Sequence, residues 1–122
     1  KKKKVQTFFL TRPLDLVAVK GKTTGTAVFE VLGRRKDVDE PTKNLAKLQK
    51  QGFEQYYARQ FTEAIATFDA AGKQWSEINA TESNPTPVDA AAKLLKDRCE
   101  VMLANPPVEG WNGCEVLNQK HF

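Results

Sequence analysis

The chain is short of the residues that bind metals and build cross-linked scaffolds: of 122 residues, two are cysteine and one is histidine. Cys99 and Cys114 are too few for a disulfide framework, and together with His121 they do not make a zinc set. No metal site is therefore expected from these residues. Cys99 falls on the apolar side of a predicted helix and reads as a buried free thiol. Long apolar runs are also missing. None approaches the length that spans a bilayer, and no signal-peptide pattern opens the chain. The sequon Asn79-Ala80-Thr81 then reads as chance, and the expected setting is reducing and cytoplasmic.

Acidic residues are scarce at the start. Residues 1–36 carry ten Lys/Arg against Asp15 and Glu30, a balance of +8, whereas residues 37–122 carry nine against thirteen, a balance of −4. The two parts differ in electrostatic character and are expected to be distinct units, 1–36 and 37–122. Lys1–Lys4 read as a solvated tail. With Arg34, Arg35 and Lys36 they suggest nucleic acid, but the chain lacks aromatic interleaving and a reader helix, so no nucleic-acid partner is expected.

Two apolar, β-branched segments, 14–20 and 27–32, flank the turn-forming Gly21-Lys22-Thr23-Thr24-Gly25 and predict a β-hairpin. Phe8–Leu10 predict an earlier strand ended at Arg12-Pro13. Gly21-Lys22-Thr23 is not a phosphate loop: Leu16 stands where the motif needs glycine, and a strand follows rather than a helix. The hairpin has apolar side chains on both faces, Val17 and Val19 on one and Leu16 and Ala18 on the other. Such a hairpin is marginal alone. It is expected to fold onto the helices or to pair with a second copy.

Residues 34–40 read as a charged linker, and Pro41 suits a helix first turn. From Asn44 to Ile78 the period becomes helical. Leu45, Leu48, Gly52, Phe53 and Tyr56 share one face; Phe61, Ala64, Ile65, Phe68, Ala71 and Trp75 share another. Only a few residues around Arg59 and Gln60 intervene, which forces the two helices antiparallel. Small residues beside large aromatics let the backbones approach. The alternation resembles one tetratricopeptide (TPR) unit, although any tight helical hairpin needs the same alternation. Gly52, Tyr56, Phe61, Ala64, Phe68 and Ala71 are the candidate structural and interaction residues. After a polar loop over 79–87, Thr86 and Asp89 predict a capped start for a third helix with Val88, Ala91, Ala92, Leu95, Cys99 and Met102 inward. Asn105-Pro106-Pro107 stops it. The tail 108–122 has no clear period, and Trp111 reads as an apolar plug on the helix stack.

Arg12-Pro13-Leu14-Asp15-Leu16-Val17-Ala18-Val19-Lys20-Gly21-Lys22-Thr23 followed by Val28-Phe29-Glu30-Val31-Leu32-Gly33 resembles the C-terminal end of a class III adenylate/guanylate cyclase catalytic domain, with Phe29 where the family often has Tyr. Downstream, Arg98-Cys99, Pro106-Pro107, Trp111-Asn112-Gly113 and Lys120 resemble the signature of the TPR-like extension that follows that hairpin in many cyclases. The resemblance runs from Phe9 to Lys120. It implies a parent that converts ATP or GTP to cyclic nucleotide and pyrophosphate with Mg or Mn held by carboxylates, and those carboxylates have no counterpart here. Only Lys20 matches a functional position, the lysine that approaches the terminal phosphates.

The expected fold is α+β and mainly α: an N-terminal β-hairpin, a TPR-like antiparallel helical hairpin, a third helix and an irregular C-terminal cap. The expected function is that of a cyclase C-terminal fragment, inactive alone, whose helices form a regulatory, interaction or dimerisation module. Its partners would be the rest of the cyclase domain, a second copy, or a protein on the helices. It would lie in the cytoplasm or on the cytoplasmic side of a membrane-anchored parent. A free-standing TPR-like adaptor is the alternative.

Overall fold

The computed structural model describes residues 8–19, 25–111, 113 and 115–117. It is mixed α+β and mainly helical. Strands β1 (Phe9–Val19) and β2 (Thr26–Arg34) form an antiparallel pair, and three helices follow: α1 (Glu40–Tyr57), α2 (Phe61–Asn79) and α3 (Ala90–Ala104). A short strand β3 (Glu115–Leu117) returns to the sheet, parallel to Val17–Val19, so the order is β2-β1-β3.

The hairpin is present, but the first strand differs from expectation. Pro13 does not end an earlier strand; β1 runs through it, with register shifts between Leu10 and Thr11 and between Pro13 and Asp15. Proline lacks the donor that a fully paired strand needs, so it is tolerated where a bulge interrupts the ladder. Among the described residues β1 has a partner on both sides only at Val17, and Pro13 is paired with β2 alone. The tail likewise is not wholly irregular. Three residues are too few to show an alternation, so β3 left no readable period.

The charged linker is shorter than expected. β2 continues to Arg34, and the amides of Asp37 and Val38 donate to the Arg34 carbonyl at 2.9 and 3.2 Å, making a turn. Asp39 then caps α1, its carboxylate accepting from the Thr42 amide at 3.1 Å, with Pro41 in the first turn. At the other end of α1, Arg59 adopts a left-handed backbone (φ 64°), and the chain reverses within three residues. The antiparallel course is fixed by side chains: Asn44 donates to Gln74 at 2.7 Å, and the Thr67 hydroxyl donates to Gln55 at 2.6 Å.

Phe53, Tyr56, Phe61, Ala64, Phe68, Leu95 and Cys99 form the helical core, with Ile65, Met102 and Trp111 packed at its margin. Gly52 is buried against Phe68: a Cβ there would lie 2.6 Å from the ring. Of the residues expected inward on α3, Ala92, Leu95 and Cys99 are buried, but Val88 is 69% exposed. It precedes the helix and is not held to its face.

Candidate functional site

Two features on the sheet side of the helices could carry function: a charged seam between β1 and α3, and a groove between the hairpin and α1.

The seam is built from two reciprocal ion pairs. Arg12 of β1 donates from both terminal nitrogens to Asp89 at 2.7 and 3.0 Å, and both side chains are only 3% exposed. Arg98 of α3 donates to Asp15 of β1 at 2.9 and 3.1 Å, again with both nitrogens. The strand offers cation then anion and the helix offers anion then cation, so two-pronged geometry is satisfied at both positions. The spacings agree: three strand residues span about 10 Å, and nine helical ones about 13.5 Å, a difference that arginine side chains absorb. Asp89 also stands at the N-terminus of α3, where the helix dipole favours an anion.

This geometry corrects the expected start of α3. Thr86 does not cap it; the cap position is Asp89, and its carboxylate makes no cap bond, being turned to Arg12. Burial by itself would lower the pKa of Arg12, but its bonds to Asp89 and Glu30 outweigh that and raise it. Burial acts the same way on Arg98, and bonds to Asp15 and Tyr56 raise it strongly instead. Both arginines therefore stay charged at any working pH.

A second arginine contact ties down the tail. Arg59 donates to the carbonyls of Pro107 and Val108 at 3.0 and 2.6 Å and lies 5.7 Å from the centre of the Trp111 ring. Trp111 packs edge-on against Tyr56 and beside Phe61, as a plug on the helical core. Gly113 is buried under the Tyr57 ring with φ 86°, and a side chain there would clash with that ring.

The groove has a volume of about 820 Å³ and an apolar floor that includes Leu10, Leu16, Phe29 and Phe53. Lys43, Lys47 and Lys50 line its α1 side, three cations on one stripe of the helix. Phe29, Val28 and Val31 of β2 remain 44%, 39% and 58% exposed, and since Val28 alternates with the other two, apolar surface stays open on both faces of that strand among the described residues. A smaller cavity of about 330 Å³ lies between α2 and α3, crossed by the Lys96–Asp69 pair at 3.3 Å.

Of the residues singled out from sequence, Tyr56, Phe61, Ala64, Phe68 and Ala71 are all buried, and Gly52 and Trp111 meet this same helical core. Lys20, Cys114 and His121 lie outside the described residues. Among the described residues no group of three or more His, Cys, Asp or Glu is arranged to hold a metal ion. No described helix is long and apolar enough to cross a membrane. The Arg12–Asp89 and Asp15–Arg98 pairing was not anticipated. Its signal was present, since Arg12 and Asp15 are charges within an otherwise apolar strand. No family model, no curated protein and no solved structure matches the chain.

Proposed function

We propose that this chain is the C-terminal part of a class III adenylate/guanylate cyclase, the last hairpin of the catalytic domain docked on a TPR-like extension. The observation that carries this reading is the bidentate bond between Asp15 and Arg98. Asp15 belongs to the hairpin motif and Arg98 to the downstream signature, two segments 83 residues apart that resemble the same family independently. Their direct pairing is what one continuous unit would need. On this reading α3 sets the position of β1, and β1 leads directly into Lys20, the residue that would approach the nucleotide phosphates. The helical part is then a regulatory and interaction module, acting through the strand it grips, in the cytoplasm or on the cytoplasmic side of a membrane-anchored parent.

The chain alone is not catalytic on this account, because the carboxylates for Mg or Mn would be supplied upstream. Incubated with ATP or GTP and manganese, it should form no cyclic nucleotide, and clear turnover by pure material would sink the fragment reading. A second reading, a free-standing TPR-like adaptor, draws support from the tight Gly52–Phe68 contact and a helical core filled by this chain's own side chains. The sequence encoded ahead of Lys1 separates the two. A cyclase requires metal-binding aspartates and an Asn-x-x-x-Arg motif there, and an adaptor does not.

A further inference from the structure

We propose that the groove between α1 and the hairpin receives helix α3 of a second copy of this chain, running antiparallel to α1. Two exposed surfaces of the same chain carry the inference. The first is the lip of the groove, where Lys47, Lys50, Glu54 and Tyr57 succeed one another at steps of three, four and three residues on α1, all exposed. The second is the outward face of α3. There Glu100, Asp97, Lys93 and Ala90 follow in reverse order at the same steps, also exposed.

Laid antiparallel, the two stripes match position by position. Lys47 meets Glu100, Lys50 meets Asp97, Glu54 meets Lys93, and the large Tyr57 meets the small Ala90. Because both helices share one rise per residue, agreement at one pair extends to all four. A parallel arrangement at the same steps sets like charges against each other: Lys50 would face Lys93, and Glu54 would face Asp97. Charge complementarity thus selects the orientation as well as the partner.

The apolar surfaces agree too. Leu94 and Val101 flank the charged stripe of α3 and are 55% and 62% exposed, although both are large aliphatic side chains. The groove beside the α1 lysines offers an apolar floor with Leu16 and with Phe29, itself 44% exposed. Leu94 and Val101 lie one helical turn either side of Asp97, so seating Asp97 at Lys50 brings both to that floor. The contact uses different surfaces on the two partners. It either closes into a reciprocal pair or continues as an open chain. This inference rests on the reading of the helical part as an interaction module and names its partner, but it does not require cyclase parentage.

Sedimentation velocity over a wide concentration series, at low and high salt, tests it together with two charge-reversed proteins. One carries Lys47→Glu with Lys50→Glu; the other carries Asp97→Lys with Glu100→Lys. The unaltered chain should self-associate and do so less in high salt. Each reversed protein alone should associate at least about tenfold more weakly, since favourable pairs become repulsive. Mixing the two should restore association, because each reversed stripe then finds its complement. All four positions are exposed, so the far-UV circular dichroism of each variant should be unchanged. If a double variant fails to fold, Lys47→Glu mixed with Glu100→Lys gives the same comparison. A chain that stays monomeric throughout overturns the proposal. So does self-association that the reversals leave unaltered, or a mixture that associates no better than its components. Cyclase parentage is tested by enzyme assay and upstream sequence, so failure of either idea is read separately.

Discussion

Removing Arg12 should unfasten the hairpin from the helices, and the cost can be worked from the geometry. Its guanidinium makes two bonds to Asp89, at 2.7 and 3.0 Å, in surroundings that leave each side chain 3% exposed. Arg12→Ala strands the Asp89 carboxylate without its partner, and breaking a buried pair from one side costs about 3–5 kcal/mol. Asp89→Ala is the milder change, about 2–3 kcal/mol, because Arg12 keeps its second partner, Glu30. The double variant should cost less than the sum of the two, since neither charge is then left alone, and the difference is the coupling energy. Urea denaturation followed by far-UV circular dichroism gives all four corners of the cycle. Hydrogen exchange adds the location: in Arg12→Ala, amides of β1 and β2 should lose protection before those of α2. A cost for Arg12→Ala below about 1 kcal/mol, or strictly additive costs, would show that the seam does not hold the strand to the helices.

Three further outcomes follow from the core. Gly52→Ala should destabilise by about 1–3 kcal/mol, although alanine favours helix, because its Cβ would lie 2.6 Å from the fully buried Phe68 ring; thermal melting reads this directly. Gln49 is fully buried, with neither amide atom hydrogen-bonded among the described residues, so Gln49→Met should raise stability by about 1–2 kcal/mol in the same assay. Burial pushes the Cys99 thiol up to about 11 from its ordinary 9.0. The thiol is neutral when protonated, so its stabilising share is complete below pH 9.0 and lost as pH rises toward about 11. Relative to Cys99→Ala, the chain should therefore lose about 2–3 kcal/mol across that range; a constant difference would show the thiol is not desolvated.

Periodicity made the helical part legible. The apolar positions of α1 and α2 recur at helical spacing, and the short stretch at Arg59 leaves no course but antiparallel. The β part was half legible. Alternation located both strands, but Pro13 was taken for a stop, because a sequence does not show where a bulge will remove the need for its missing donor. β3 was invisible for a different reason: it is short and pairs with residues about a hundred positions earlier. The seam was illegible for the same long-range reason. Asp89 looks like an ordinary helix-start acid, and only the packing of α3 beside β1 makes it the partner of Arg12. Charges embedded in an apolar strand were the available sign.

The central claim is that α3 holds a cyclase hairpin in place through Asp15 and Arg98. The most direct test is cyclic-nucleotide formation by the chain extended upstream through the catalytic domain we propose, with and without Arg98→Met. The account predicts turnover of ATP or GTP by the extended chain with manganese, and a marked loss in kcat when Arg98 is replaced while the helices keep their circular dichroism. An extended chain with no cyclase activity, or one whose turnover is indifferent to Arg98→Met, would contradict it.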